Sequence, residues 1–269
     1  MAKSISNLSK AECKTVSEEA FSNAKRKIKL AEDSCVSKDY GSAISLLIIG
    51  SEELTKAFIL YFDSLGCSFR TVKGLQSVFN NHNLRYFILF LLFSFGVFVD
   101  EINQFFKRIK LNKNPNGLLE ELSNRINEDK EEFFNKTQNL IISKISFLID
   151  EIYWFNNFDP LRQKGFYVDY NDKLETPMRV TKEDYLEIKM RVDRVKEMIN
   201  ELFESPGFNH ESNKKSILDF VETMKKENYY QAIESFIEKV KENKTDPLNF
   251  SLNFLKRVIN DLKTNKLHN

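Results

Sequence analysis

The stretch Tyr40–Gly66, YGSAISLLIIGSEELTKAFILYFDSLG, constrains this chain more than any other. From Ala43 to Gly50 no residue is charged, so nearly every face of a helix here is small or apolar. Such a helix is buried on most sides. Glu52, Glu53 and Lys56 then follow inside the same pattern, among Ile48, Ile49, Leu54 and Ile59. Burying a carboxylate is costly unless it is paired or hydrogen-bonded. Either the helix surfaces here, or a polar site is set into the middle of a bundle. Asp39 is placed to cap this helix and Gly66 to end it.

The rest of the chain reads as helical too. Its 269 residues include 24 Phe but only 8 Gly and 5 Pro, so breakers are few. Hydrophobic residues at 42% and charged residues at 29% supply a core and argue against global disorder. Lys and Arg number 40 against 39 acidic residues, so any contact with RNA must come from local patches. Cys13, Cys35 and Cys67 form no C-x-x-C and fit a reducing cytoplasm better than a disulfide framework or zinc knuckle. No secretory signal opens the chain. The apolar run Tyr86–Val99 lies between Arg85 and Asp100, short of the ~20 residues a membrane span needs, so it reads as a core helix.

Periodicity and breakers divide the chain. Helices are expected over Lys10–Val36, from His82 to near Leu111, from Leu118 to near Phe155, and from Thr181 to about Glu204 behind a capping box at Thr181–Asp184. Ser212–Glu227, Tyr229–Glu242 and a helix opening at Asp246-Pro247 complete the set. Thr71–Asn81 reads as a polar connection and Asn156–Pro160 as a break. Leu161–Pro177 is the least helical part, with Tyr167–Tyr170 extended or irregular. The architecture is therefore all-α: an antiparallel bundle over 1–180 and a C-terminal helical extension over 181–269. Charge is balanced in that extension, which suits packing or partner binding more than a nucleic-acid arm.

Three polar constellations stand out. Glu52 and Lys56 are spaced for an i,i+4 ion pair, worth about 0.2–0.5 kcal/mol when exposed. His82 and Arg85 form H-x-x-R on one helix face: a capped helix start with a nearby cation, or a proton carrier beside a phosphate-binding group. Arg162, Lys164, Tyr167 and Asp169 form the third, either pinning a loop or binding an anion. There is no P-loop, G-x-G-x-x-G, H-E-x-x-H or G-x-S-x-G, and the His and Cys spacings build no metal site. Neither metal nor cofactor is expected, and acid–base chemistry is the simplest option for an enzyme.

Taken in order, S-E-E-L-T-K-A (Ser51–Ala57), H-N-L-R (His82–Arg85) and L-R-Q-K-G-F-Y-V-D-Y (Leu161–Tyr170) resemble the AbiV family of bacterial abortive-infection proteins, within the HEPN superfamily. Arg85 stands where that family usually has Lys. The resemblance covers about Lys10 to Pro177. It implies a four-helix HEPN bundle, often a homodimer, with a role in phage defence. Many HEPN proteins are metal-independent ribonucleases whose motif is Arg, four to six residues, then His, at a dimer cleft. Arg162-x4-Tyr167 has that spacing with Tyr in place of His. By that resemblance His82, Arg162 and Tyr167 are the catalytic candidates. Glu52, Glu53, Lys56, Arg85, Lys164 and Asp169 are the binding or supporting ones. Two functions stay open: a toxin acting on RNA or the translation machinery, or a non-catalytic module that binds a phage or host protein.

Overall fold

The computed structural model describes residues 5–108, 130–167, 169–171, 173–204 and 229–264, with isolated positions between 215 and 227. Within them the helices are α1 (Lys10–Val36), α2 (Tyr40–Leu65), α3 (His82–Arg108), α4 (Lys130–Asn156), α5 (Phe158–Lys164), α6 (Lys182–Glu204), α7 (Tyr229–Glu242) and α8 (Pro247–Thr264). The expected helix over Ser212–Glu227 and the first part of the one from Leu118 lie outside the described residues.

Local chemistry sets the boundaries. Ser9 and Glu12 close a reciprocal capping box on α1, with Ser9 N–H donating to Glu12 Oε2 at 2.7 Å. Asp39 Oδ1 accepts from Ser42 N–H at 3.1 Å to open α2, and Gly66, at φ 102°, ends it in the left-handed region. Asn81 Oδ1 accepts from Leu84 N–H at 3.1 Å and caps α3. Thr181 and Asp184 cap α6 reciprocally, and Asp246 caps α8 ahead of Pro247.

The packing follows from the stripes. Phe21, Ala24, Ile28 and Ala31 of α1 face α2, whose Ala43, Ile44, Leu47, Ile48, Leu54 and Ala57 are buried. A Cβ on Gly50 would come within 2.9 Å of Ile28 Cγ1, so these two helices pack closely there because position 50 is bare. Tyr86, Leu89, Phe90 and Phe93 of α3, Ile152 and Phe155 of α4, and Ile188, Val192, Val195 and Ile199 of α6 join the same core. Burying each large apolar side chain contributes about 1.5–3 kcal/mol. A bidentate pair fastens α6 to α4: Arg191 donates to Glu151 at 2.6 and 2.8 Å, with its guanidinium 4.5 Å from the Trp154 ring centre.

Two expectations need correction. The connection before α3 is not merely polar: it carries short 3₁₀ turns at Phe69–Thr71 and Leu75–Phe79, and buries Val72 and Val78. Nor is Leu161–Pro177 uniformly non-helical. The break after α4 is the single residue Asn157, and α5 resumes at once with Pro160 in its first turn, where no intrahelical N–H is needed. Beyond it, Asp169–Asn171 pairs antiparallel with Lys173–Glu175 in the one hairpin among the described residues. By length and composition alone, His82–Glu101 could cross a membrane, but α3 turns Leu89, Phe90 and Phe93 into the core.

Candidate functional site

Glu52 is a buried charged residue, 5% exposed on the mid-section of α2. A carboxylate there must accept hydrogen bonds or be neutralised. The first two turns of α3 do this, because His82, Arg85 and Tyr86 recur at i, i+3 and i+4 and so share one face. His82 Nδ1 lies 2.7 Å from Glu52 Oε1, and the Tyr86 hydroxyl donates to the same oxygen at 2.7 Å. Arg85 Nη2 sits 3.1 Å from Oε2, while its Nη1 donates to the Val78 carbonyl at 2.8 Å. Arg85 Nη2 is also 2.7 Å from His82 Nδ1. One ring nitrogen cannot both donate to Glu52 and accept from Arg85. An ionised carboxylate can only accept, so the consistent arrangement puts the proton on Nδ1 and directs the guanidinium to Oε2.

The opposite wall is α5. Arg162 donates to Asp159 Oδ1 from Nη2 at 2.6 Å and from Nε at 3.2 Å, and its Nε is 4.0 Å from Glu52 Oε1. Gln163 Nε2 donates to the other Asp159 oxygen at 2.7 Å. The Tyr86 hydroxyl lies 3.4 Å from Asp159 Oδ1, so it bridges both carboxylates while its proton belongs to the nearer one. Ring packing aims Tyr86: it meets Phe158 edge-on at 5.6 Å, and Phe158 packs in a tilted contact on Phe155 at 4.7 Å.

Bare backbone brings α5 this close. A Cβ on Gly165 would overlap the Gly41 carbonyl and Ser45 Oγ, and Ser45 Oγ donates to the Arg162 carbonyl at 2.7 Å. The first turn of α2 thus holds the end of α5 and fixes Arg162 over Glu52.

Two carboxylates, Glu52 and Asp159, face two guanidiniums, Arg85 and Arg162, in the cluster. Burial, and then the Glu52 charge and hydrogen bond, push the Tyr86 phenol far up, so it remains a donor. Burial alone would raise Asp159, but the Arg162 hydrogen bond and charge, with Gln163 and His82, hold it below the usual carboxylate range. Burial would lower Arg162, and Asp159 and Tyr86 outweigh it to hold the guanidinium protonated.

His82, Arg85, Glu52 and Arg162 are therefore brought together, and the remaining candidates are not. Lys56 pairs with Glu53 at 2.6 Å rather than with Glu52. That pair lines a separate cavity of about 500 Å³ beside Arg26 and Glu19 of α1. A buried carboxylate draws fixed guanidinium and phenol donors from across the helix interface, whereas a lysine stem reaches outward. Lys164 is half-buried at the end of α5. Tyr167 is 65% exposed beyond Gly165, its ring beside that of Phe166 and not in the Glu52 cluster. α5 stops at Lys164, before the chain reaches Tyr167. Asp169 lies in the hairpin opposite Glu175. Tyr86, Asp159 and Gln163 complete the cluster without having been singled out from sequence. The signals were present: Tyr86 is i+4 from His82, and Asp159 is i−3 from Arg162.

Comparison with known proteins gives one result. The family described as AbiV, of the HEPN group, matches residues 12–200, which takes in every member of the cluster and most of α6. No curated protein and no solved structure matches the chain.

Proposed function

This chain belongs to the AbiV family of abortive-infection HEPN proteins, and from that premise we propose that it acts as a toxin on RNA through metal-independent acid–base chemistry at His82 and Arg162. One observation carries the reading. His82 is tied through Nδ1 to a buried carboxylate while its side chain stays 42% exposed, with Nε2 in no hydrogen bond among the described residues. A carboxylate that holds Nδ1–H fixes the tautomer and leaves the Nε2 lone pair as the base.

In the proposed reaction Nε2 takes the proton from a ribose 2′-hydroxyl. The freed oxygen attacks the adjacent phosphorus, and the bond from phosphorus to the 5′-oxygen breaks. The leaving oxygen takes a proton from a second acid, and Arg162 offsets the charge that builds on the phosphoryl oxygens. In a homodimer the protonated imidazole of a second copy supplies that acid. Tyr86 takes no proton in this scheme and keeps Glu52 aimed. A second reading rests on a different observation: Arg85 and Arg162 already face carboxylates, as they would in a bundle that only binds a phage or host protein.

The two readings part in cells. Wild type, His82→Ala and Arg162→Ala are expressed under control, with circular dichroism confirming each fold, and growth and total-RNA integrity are followed. Growth arrest with RNA fragments in the wild type, lost in both folded variants, is expected. Intact RNA with arrest or protection unchanged by either substitution overturns the cleavage reading in favour of the interaction module.

A further inference from the structure

The turn between α7 and α8, beyond the residues matched by the family, comes back against the start of α3. Between them lies a polar cavity of about 570 Å³. Lys241 and Lys244 line it from the α7 side, and Ser77, Asn81 and Asn83 from the other. Asn81 and Asn83 are the neighbours of His82 on either side. Asn249, also in its wall, accepts from Asn156 Nδ2 at 3.1 Å, which joins the cavity to the end of α4 just before α5. The cavity therefore sits at the same end of the bundle as the Glu52 cluster.

Its charge is positive. Both lysines are exposed, and neither is in an ion pair among the described residues. The lining acid, Asp246, is turned to Asn249, whose backbone N–H it accepts at 3.0 Å to cap α8. Lysines at a helix end also complement the macrodipole, and that account covers Lys241. It does not cover the backbone at Lys244, which is left-handed at φ 48°. Thr245 N–H reaches back to the Val240 carbonyl at 3.3 Å, closing α7 with position 244 in the place where Gly or Asn is relaxed. Lys38 closes α1 in the same left-handed conformation, so the backbone alone does not mark a site; at Lys244 it sets a lysine in the cavity wall.

We propose that this cavity is a phosphate subsite for single-stranded RNA, holding a stretch of strand beside His82. The proposal rests on the RNA reading above and supplies what the Glu52 cluster lacks: exposed lysines held in no close ion pair among the described residues, although the charge of Lys241 also acts on Glu238. Lys241 and Lys244 contact backbone phosphates, and the Asn81 and Asn83 amides flank the ribose or base that leads to the imidazole.

The test uses the full-length protein and a fluorescein-labelled 2′-O-methyl RNA of about twelve nucleotides, which keeps the phosphates and removes the attacking hydroxyl. Anisotropy titrations at several salt concentrations compare wild type with Lys241→Gln and Lys244→Gly. Each substitution is expected to weaken binding about threefold to tenfold near 0.1 M salt. Each should also reduce the slope of log K against log salt by about 0.7, one phosphate contact on a single strand. Lys244→Gly relieves the left-handed strain, so it should bind less tightly while melting no lower than wild type. Unchanged affinity and slope in both variants, or no binding by the wild type, overturns the subsite. Fragmentation of unmodified RNA is read separately. Cutting without lysine-dependent binding leaves the proposed function standing and removes the subsite. Lysine-dependent binding without cutting does the reverse.

Discussion

Replacing Glu52 with Gln preserves the side chain's shape and removes its charge where it is 5% exposed. The amide oxygen can still accept from His82 and Tyr86. The amide nitrogen then stands where Oε2 met Arg85 Nη2 at 3.1 Å, donor against donor. Arg85 is 3% exposed and cannot lose its proton, so a guanidinium is left buried without its counter-charge. Removing one member of a buried pair costs about 3–5 kcal/mol. For a chain of this size each kcal/mol moves Tm by about 2–4 °C, so Glu52→Gln should melt about 6–20 °C below wild type. Glu53→Gln is the control on the same turn. It breaks an i,i+3 pair with a partly exposed lysine, worth about 0.2–0.5 kcal/mol, and should move Tm by less than about 2 °C. Thermal unfolding followed by circular dichroism reads both. Equal shifts in the two variants, or a Glu52→Gln Tm within about 2 °C of wild type, would refute the assignment of Glu52 as the neutralised centre of the bundle.

Gly165→Ala forces a Cβ onto Ser45 Oγ and the Gly41 carbonyl, so it should cost about 1–3 kcal/mol in urea unfolding and loosen Arg162; wild-type stability would show that the contact is not close. Asp159 is held below the usual carboxylate range, so its contribution is complete above its unfolded pKa of about 4 and fades as pH falls through the lower folded value. The stability gap between wild type and Asp159→Asn should accordingly be constant near neutrality and close below about pH 4; a gap that stays constant to about pH 3 would contradict it.

Much of the fold was legible because local signals agree with it. The Ser9 to Glu12 spacing, Asp39, Gly66, the Thr181 box and Asp246-Pro247 all mark ends by chemistry within one turn. The site was legible where one helix holds it: His82 and Arg85 share a face by spacing alone. What spacing could not supply was choice of partner. Lys56 lies within reach of both Glu52 and Glu53, and the interface with α3, invisible in sequence, hands Glu52 to three donors and leaves Lys56 to Glu53. Tyr167 came from the spacing of the family motif, which carries no geometry of its own; α5 ends at Lys164, and Tyr167 stands exposed beyond it. Asp159, read as part of a break, became a ligand because the helix resumed one residue before it.

The Ser45–Arg162 contact spans 117 positions. During synthesis at about 5–20 residues per second, the chain that already carries Ser45 waits about 6–23 s for Arg162 to be made. His82, Arg85 and Tyr86 are synthesised well before that. The residues of the centre are therefore made in two instalments, and any product that stops short of α5 carries the imidazole and the acid but not the cation set above them.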